Sequence, residues 1–242
     1  MWWTIATALA GSSPTVEARW TLQVDGVSVG SREVSVRYEG ESGARVRVLE
    51  GYTALSGGVK KKERYAYEQR LTANSHEAAP ASFTSAVSTD GVGREVQARF
   101  TEGRWAVSVV EASGKSKAYE LPAARVDLST VDLFDPESDR KITQLTSARI
   151  LSAEIGKILE GPVRPLGPST WIAGGESMVV DGYEWQTELG PWRFWYASNG
   201  FLVRYEVPLL GRRVSAELDG PAPRGIDEFA VGGAPPVEVE EL

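Results

Sequence analysis

Cysteine is absent from the 242 residues, and that absence removes several chemistries at once. No disulfide, thiolate nucleophile, iron–sulfur cluster or cysteine-held structural zinc can form, and lipid attachment of the lipoprotein type is excluded as well. Histidine occurs once, at His76 in "TANSHEAAP", a stretch that reads as an exposed loop. A single histidine is too few for a histidine metal site, and no G-x-S-x-G elbow offers it a nucleophile. Positive charge is in deficit: 26 Lys and Arg against 33 Asp and Glu leave a formal net charge of −7. Duplex nucleic acid demands a basic footprint, so it is not an expected partner. The densest basic run, Lys60-Lys61-Lys62, lies beside Glu63 and Glu68 and reads as the wet face of a strand. No apolar run reaches the roughly 20 residues of a transmembrane helix.

Motifs for bound groups are equally scarce. Asp135, Glu137 and Asp139 have the alternate-acid spacing of a calcium loop, but Arg140 stands where that loop needs Gly and Thr146 where it needs Glu. "SGG" and "AGGES" do not lie between a strand and a helix, so they read as turns rather than phosphate cradles. Neither a cofactor nor a metal is expected. Paired carboxylates for a hydrolase are not excluded, since acids abound, but their required spacing is three-dimensional.

What is present is alternation. "RWTLQV" sets Trp20, Leu22 and Val24 on one face, and Asp25-Gly26, a hairpin dipeptide, follows it. "REVSVRY" sets Val34, Val36 and Tyr38 against Glu33, Ser35 and Arg37. "VKKKERYAYEQRL" puts Val59, Tyr65, Tyr67 and Leu71 opposite Lys60, Lys62, Arg64, Glu68 and Arg70. Period two with one wet face is the signature of antiparallel sheet, and the recurring turn signals favour a meander, barrel or sandwich. Residues 122–147 break the rhythm: "DLSTVDLFDPESDRKITQL" holds one or two short helical turns at about 128–145, with Ser129 or Thr130 as N-cap, and is the one elaborated connection, a lid or plug. Strands return at 148–219, with turns at Glu154–Gly156 and Asp181-Gly182.

The ends differ from the middle. Trp2 to Leu9 is a short apolar run, and Ala8-Leu9-Ala10 resembles a cleavage site, although the first basic residue is Arg19. Residues 1–18 therefore read as a signal peptide or a flexible apolar terminus, which points to a periplasmic or secreted protein. Residues 19–220 read as a single antiparallel β domain, and 221–242, rich in Pro, Gly and acid, as a flexible tail.

The densest aromatic stretch is "ELGPWRFWYASNGFLVRYEV", residues 188–207. Gly190-Pro191 and Ser198-Asn199-Gly200 divide it into strands. Trp192, Phe194 and Tyr196 then share one face, while Arg193, Trp195 and Ala197 share the other. Two outcomes fit this pattern: the aromatic face is packed core, or it lines a cavity of the kind that a barrel of about eight strands can enclose.

"WTLQVDGVSVGSREVSV" near the start, and "RILSAEIGKILEGPVRPLG", "VDGYEWQTEL", "RFWYASNGFLVRYEV" and "RRVSAEL" near the end, resemble the blocks of a group of exported bacterial proteins of unknown function. The likeness covers about residues 19–40 and 148–219, with Ser198 where the pattern often has Asp. It implies an all-β chain with a curved antiparallel sheet, lipocalin-like or a half-open barrel, in the style of periplasmic lipoprotein carriers. It implies no catalytic residues. The expectation is a non-enzymatic exported protein binding a hydrophobic ligand, a lipid or acyl chain, with Trp171, Trp185, Trp195 and Tyr196 in the lining. The alternatives are a structural or adaptor domain in a cell-envelope assembly and, behind it, a carboxylate-based hydrolase.

Overall fold

The computed structural model describes residues 15–39, 46–58, 64–76, 82–135, 138, 141–173 and 176–220. The N-terminal apolar run, Lys60 to Glu63, Glu137, Asp139, Arg140 and the acidic tail lie outside these residues.

Eight antiparallel strands come first: β1 (Thr15–Val24), β2 (Val27–Glu39), β3 (Val46–Gly57), β4 (Tyr65–His76), β5 (Ser82–Thr89), β6 (Val92–Thr101), β7 (Arg104–Glu111) and β8 (Ser116–Pro122). The two-residue β9 (Leu128–Ser129) and the short helix α1 (Thr130–Phe134) follow, then β10 (Ser147–Leu151), β11 (Ile158–Ala173), β12 (Glu176–Thr187), β13 (Gly190–Ala197), β14 (Leu202–Leu209) and β15 (Arg212–Leu218). All join one sheet in the order β8-β7-β6-β5-β4-β3-β2-β1-β15-β14-β13-β12-β11-β10-β9. Each wing is thus a meander, and the two meet where β1 pairs with β15, Trp20 opposite Leu218. Among the described residues, every pairing is antiparallel except β9 with β10.

Local chemistry explains the elements. Asp25-Gly26, Asp90-Gly91, Glu102-Gly103 and Leu210-Gly211 each have both residues at positive φ, the primed turn whose twist suits a two-residue hairpin. The expected turn at Glu154–Gly156 lies in the link between β10 and β11, where Leu151 pairs with Ile158. Helix α1 starts as expected at Ser129, whose N–H and Oγ both donate to Asp132 Oδ2, at 2.7 and 2.9 Å.

Two expectations are corrected. Asp181-Gly182 is not a turn, because β12 runs through it, pairing Asp181 with Tyr196 and Gly182 with Trp195. Glycine is required there for close packing: a Cβ would lie 2.9 Å from Trp195 Nε1. His76 ends β4, paired with Val46, rather than sitting in a loop.

The sheet is a half-open barrel wrapped around the connection between β8 and β11. Contacts from both wings to this one connection require the curl. Tyr119 of β8 donates its hydroxyl to the Gly156 carbonyl. Trp185 of β12 donates Nε1 to the Ala148 carbonyl at 3.3 Å. Arg47 of β3 pairs with the buried Asp135 at 2.9 Å. Phe134 meets Trp20 and Tyr205 edge-on, with centroids 6.5 and 5.2 Å apart. The connection is therefore a plug, with Val131, Leu133, Phe134 and Ile142 buried in the same cluster as the inner wall. Trp20, at the seam, stacks on Phe201 at 6.0 Å and satisfies its indole N–H on the Leu202 carbonyl at 3.1 Å. An aromatic buried in this way contributes up to about 4–6 kcal/mol.

Candidate functional site

The inner wall is not uniformly apolar. Arg32, Thr53 and Gln69 fall on the inward parity of β2, β3 and β4 and are direct cross-strand neighbours, Arg32 opposite Thr53 and Thr53 opposite Gln69. All three are buried. Gln69 Nε2 donates to the buried Ser85 Oγ on β5 at 2.9 Å, so the row continues across a fourth strand. A polar side chain on a buried face is costly unless it is bonded, which makes a row of them informative.

This row faces Glu154 of the plug across a cavity of about 40 Å³. Tyr67, Tyr205 and Trp192 complete its polar lining. Arg32 is 6 % exposed, and its guanidinium carbon lies 3.4 Å from the centre of the Phe134 ring, a cation–π contact that replaces a carboxylate partner. Among the described residues, its Nε has no hydrogen-bond partner, and neither has Trp192 Nε1. Glu154 is held by its own segment: Oε2 accepts from Ser152 Oγ at 2.7 Å and from Thr130 Oγ1 at 3.4 Å. Among the described residues, no ion pair joins Arg32 to Glu154. Burial pushes both phenols, Tyr67 and Tyr205, above their ordinary range; the Arg32 charge pulls the other way and does not prevail. Both remain protonated at neutral pH, and the Tyr205 hydroxyl accepts a hydrogen bond from the Arg32 guanidinium.

The four aromatic residues expected to form one lining divide between the two faces. Trp185 and Tyr196 point inward: Trp185 packs on Trp192 with centroids 5.6 Å apart, and the Tyr196 hydroxyl donates to the Leu133 carbonyl at 3.4 Å. Burial raises the Tyr196 phenol as well. Trp171 and Trp195 point outward, and Arg204 lies between them, its guanidinium carbon 5.4 and 4.8 Å from the two rings. Along the same outer face runs a ladder of ion pairs. Glu184 takes Arg164 at 2.7 Å and Arg193 at 2.8 Å; Glu206 takes Arg193 at 3.2 Å and Arg204 at 2.8 Å. The Arg193 bond is the main cause that holds the Glu184 carboxyl below its ordinary range. The face containing Trp192, Phe194 and Tyr196 is packed core against the plug.

Each acid buried among the described residues is bonded within the fold. Asp132 accepts from Ser129 and, at 3.2 Å, from Ser138; Asp135 holds Arg47; Glu184 holds two arginines. Among the described residues, no cluster of three or more His, Cys, Asp or Glu could hold a metal, and no helix is long and apolar enough to cross a membrane. Arg32, Thr53 and Gln69 escape a reading by residue type. Their only signal is parity: Arg32 alternates in step with Val34 and Val36, and Gln69 with Tyr67 and Leu71.

No known protein family matches the chain, and no curated protein does. Among solved structures, the chain is similar to a β-barrel-like protein of a domain of unknown function, DUF1849, from Brucella abortus, with a TM-score of 0.57 and 11 % identity over 88 % of this chain and 98 % of that one. At that identity the likeness speaks for the fold alone: an all-β, barrel-like chain.

Proposed function

We propose that the chain is a non-enzymatic structural or adaptor domain of a cell-envelope assembly. One observation carries this: the interior is occupied by the chain's own plug, so recognition falls to surface that the plug leaves exposed. Two features there suit a partner. β11 and β12 pair out to Ala173 and Glu176, whereas β13 leaves β12 at Val180, so the ribbon extends past its neighbour. It carries Ile172 and Val179, 69 % and 65 % exposed. At the far end of the sheet, β8 pairs, among the described residues, only with β7, which leaves its other edge able to accept a strand. The envelope location draws on the N-terminal apolar run, and the absence of catalysis on the structural commitment of each buried acid.

A lipid or acyl chain inside the barrel is the rival, favoured by the aromatic inner wall. It would need about 300 Å³ or more, against the cavity of about 40 Å³, so α1 would have to leave. The test is affinity capture from envelope extract with the wild type and with the double variant Ile172→Asp, Val179→Asp, together with native mass spectrometry of protein purified without detergent. The expected result is one reproducible partner lost in the variant, and a wild-type mass without lipid. A stoichiometric lipid, or a capture indifferent to the variant and to blocking of the β8 edge, would overturn the proposal.

A further inference from the structure

The two edges of the sheet are finished differently. At one end β9 is two residues long, and β10 covers β11 only as far as Val163, whose N–H reaches the Thr146 carbonyl at 2.9 Å. The next backbone position turned to that side is Pro165, which has no N–H, and a bulge between Pro165 and Gly167 follows. Prolines and bulges guard an open edge against a further strand. β8 has neither between Ser116 and Leu121. Its register with β7 fixes which groups are left over. Glu111 donates its N–H to the Lys115 carbonyl at 2.9 Å, and Ala123 to the Gly103 carbonyl at 2.8 Å, so the odd-numbered residues of β8 exchange bonds with β7. Ser116, Ala118 and Glu120 therefore turn their N–H and C=O groups away from β7, and all three residues are exposed. Pro122 falls in the same phase, where its missing N–H costs the β7 pairing nothing. Among the described residues, no strand covers this edge.

We infer that β8 pairs with β8 of a second copy of this chain, antiparallel about a two-fold axis at Ala118. This rests on the open edge of the adaptor reading and names the strand that the edge takes. A two-fold at Ala118 matches every leftover group: Ser116 exchanges bonds with Glu120 of the second copy, Glu120 with Ser116, and Ala118 with its own counterpart. Moving the centre to Tyr119 would set Ser116 against Pro122 and lose a donor. The side chains agree with the same register. On the outer face Ala118 is small enough to meet itself at the axis. The Ser116 hydroxyl there lies opposite a Glu120 carboxylate, whose charge Arg104 already shares at 3.1 Å. On the inner face Lys117 lies opposite Tyr119 of the second copy, the kind of ring that its Nζ already approaches at 5.4 Å within its own strand. A lysine turned inward on an edge strand normally repels a neighbour. In this register no like charges stand directly opposite one another, and each lysine meets a ring.

The test is sedimentation of the full chain over a concentration series, with amide exchange followed by NMR. A reversible dimer is expected, in which the amides of Ser116, Ala118 and Glu120 slow with concentration while those of Lys117 and Tyr119 are protected throughout. Ala118→Pro removes a donor that β7 does not use and should leave a folded monomer. Should the proline disturb the fold, Ala118→Lys decides the matter, because it opposes two cations at the axis from an exposed position and should also give a monomer. Ser116→Lys should tighten the dimer several-fold by facing Glu120, and Ser116→Glu should loosen it by a similar factor. A wild type that is monomeric at every concentration would overturn the pairing, whether the three amides exchange freely or another segment protects them. So would a dimer indifferent to both Ala118 variants, or Ser116 variants that shift it in the same direction. The two readings fail separately: a monomer can still lose a captured partner with Ile172→Asp, Val179→Asp, and the dimer can form where capture finds nothing.

Discussion

In β1 to β7 the inner wall is mostly Val, Leu and Ala, with Trp20, Tyr67, Phe83 and Trp105 set apart on four strands and Arg32, Thr53, Gln69 and Ser85 interrupting it; in β12 to β14 the rings are concentrated, as Trp185, Trp192, Phe194, Tyr196 and Tyr205. The outer faces differ as well. The first wing carries scattered, well-exposed pairs such as Arg19 with Glu33, whereas the second carries the connected ladder from Arg164 through Glu184 to Arg204. Exposed pairs contribute little, so the first wing depends on its inner packing and short turns. The second depends on large rings inside and a shared charge network outside. The plug touches both, through Arg47 and Arg32 on one side and through Tyr196 and Tyr205 on the other. Two walls of unlike chemistry can thus enclose one segment, provided the segment presents a matching group to each.

The largest expected effect comes from removing the group common to both wings. Phe134→Ala should destabilise the fold by about 3–5 kcal/mol in urea unfolding, since it opens a cavity and strips Arg32 of its ring. A loss below about 1 kcal/mol would mean that the plug is not part of the cooperative core. A smaller effect tests the first wing alone. Gln69→Leu leaves the Ser85 hydroxyl unpaired and should cost about 1–3 kcal/mol, while Gln69→Leu with Ser85→Ala should recover most of that loss. Equal costs for the single and double variants would show that the row is not coupled. The second wing should respond least to a single change, because its network is shared: Glu184→Gln is expected to cost about 1–2 kcal/mol by thermal unfolding. Its pH dependence has a definite sign. The Glu184 carboxyl titrates lower in the folded state than its ordinary 4.5. Its stabilisation is therefore present above that value and lost as the pH falls through the lowered one. Glu184→Gln should flatten that acid limb, and an unchanged limb would assign it to other carboxylates.

Much of the fold was legible because a strand's side chains alternate with period two. Trp20, Leu22 and Val24, or Trp192, Phe194 and Tyr196, announce a buried face without any knowledge of what covers it. The Asp25-Gly26 turn and the α1 start at Ser129 were legible for the same reason, since each depends on residues within four positions. Asp181-Gly182 misled because the same dipeptide that suits a turn also suits a close approach, here of the Trp195 ring. The candidate site was the least legible part. Three tryptophans and a tyrosine expected in one lining proved to lie on two faces, and Arg32 and Gln69 gave no sign beyond their parity.

By itself, then, the sequence determined the alternating strands, the tight turns, the plug's position along the chain and the chemistries excluded by missing cysteine and scarce histidine. These are local or compositional properties. Only the tertiary structure decided that the plug fills the barrel, that Arg32 and Glu154 border one small cavity, and that Arg204 lies between Trp171 and Trp195. Each of those depends on how far one sheet curls, a sum of small twists over fifteen strands that no short stretch of residues encodes.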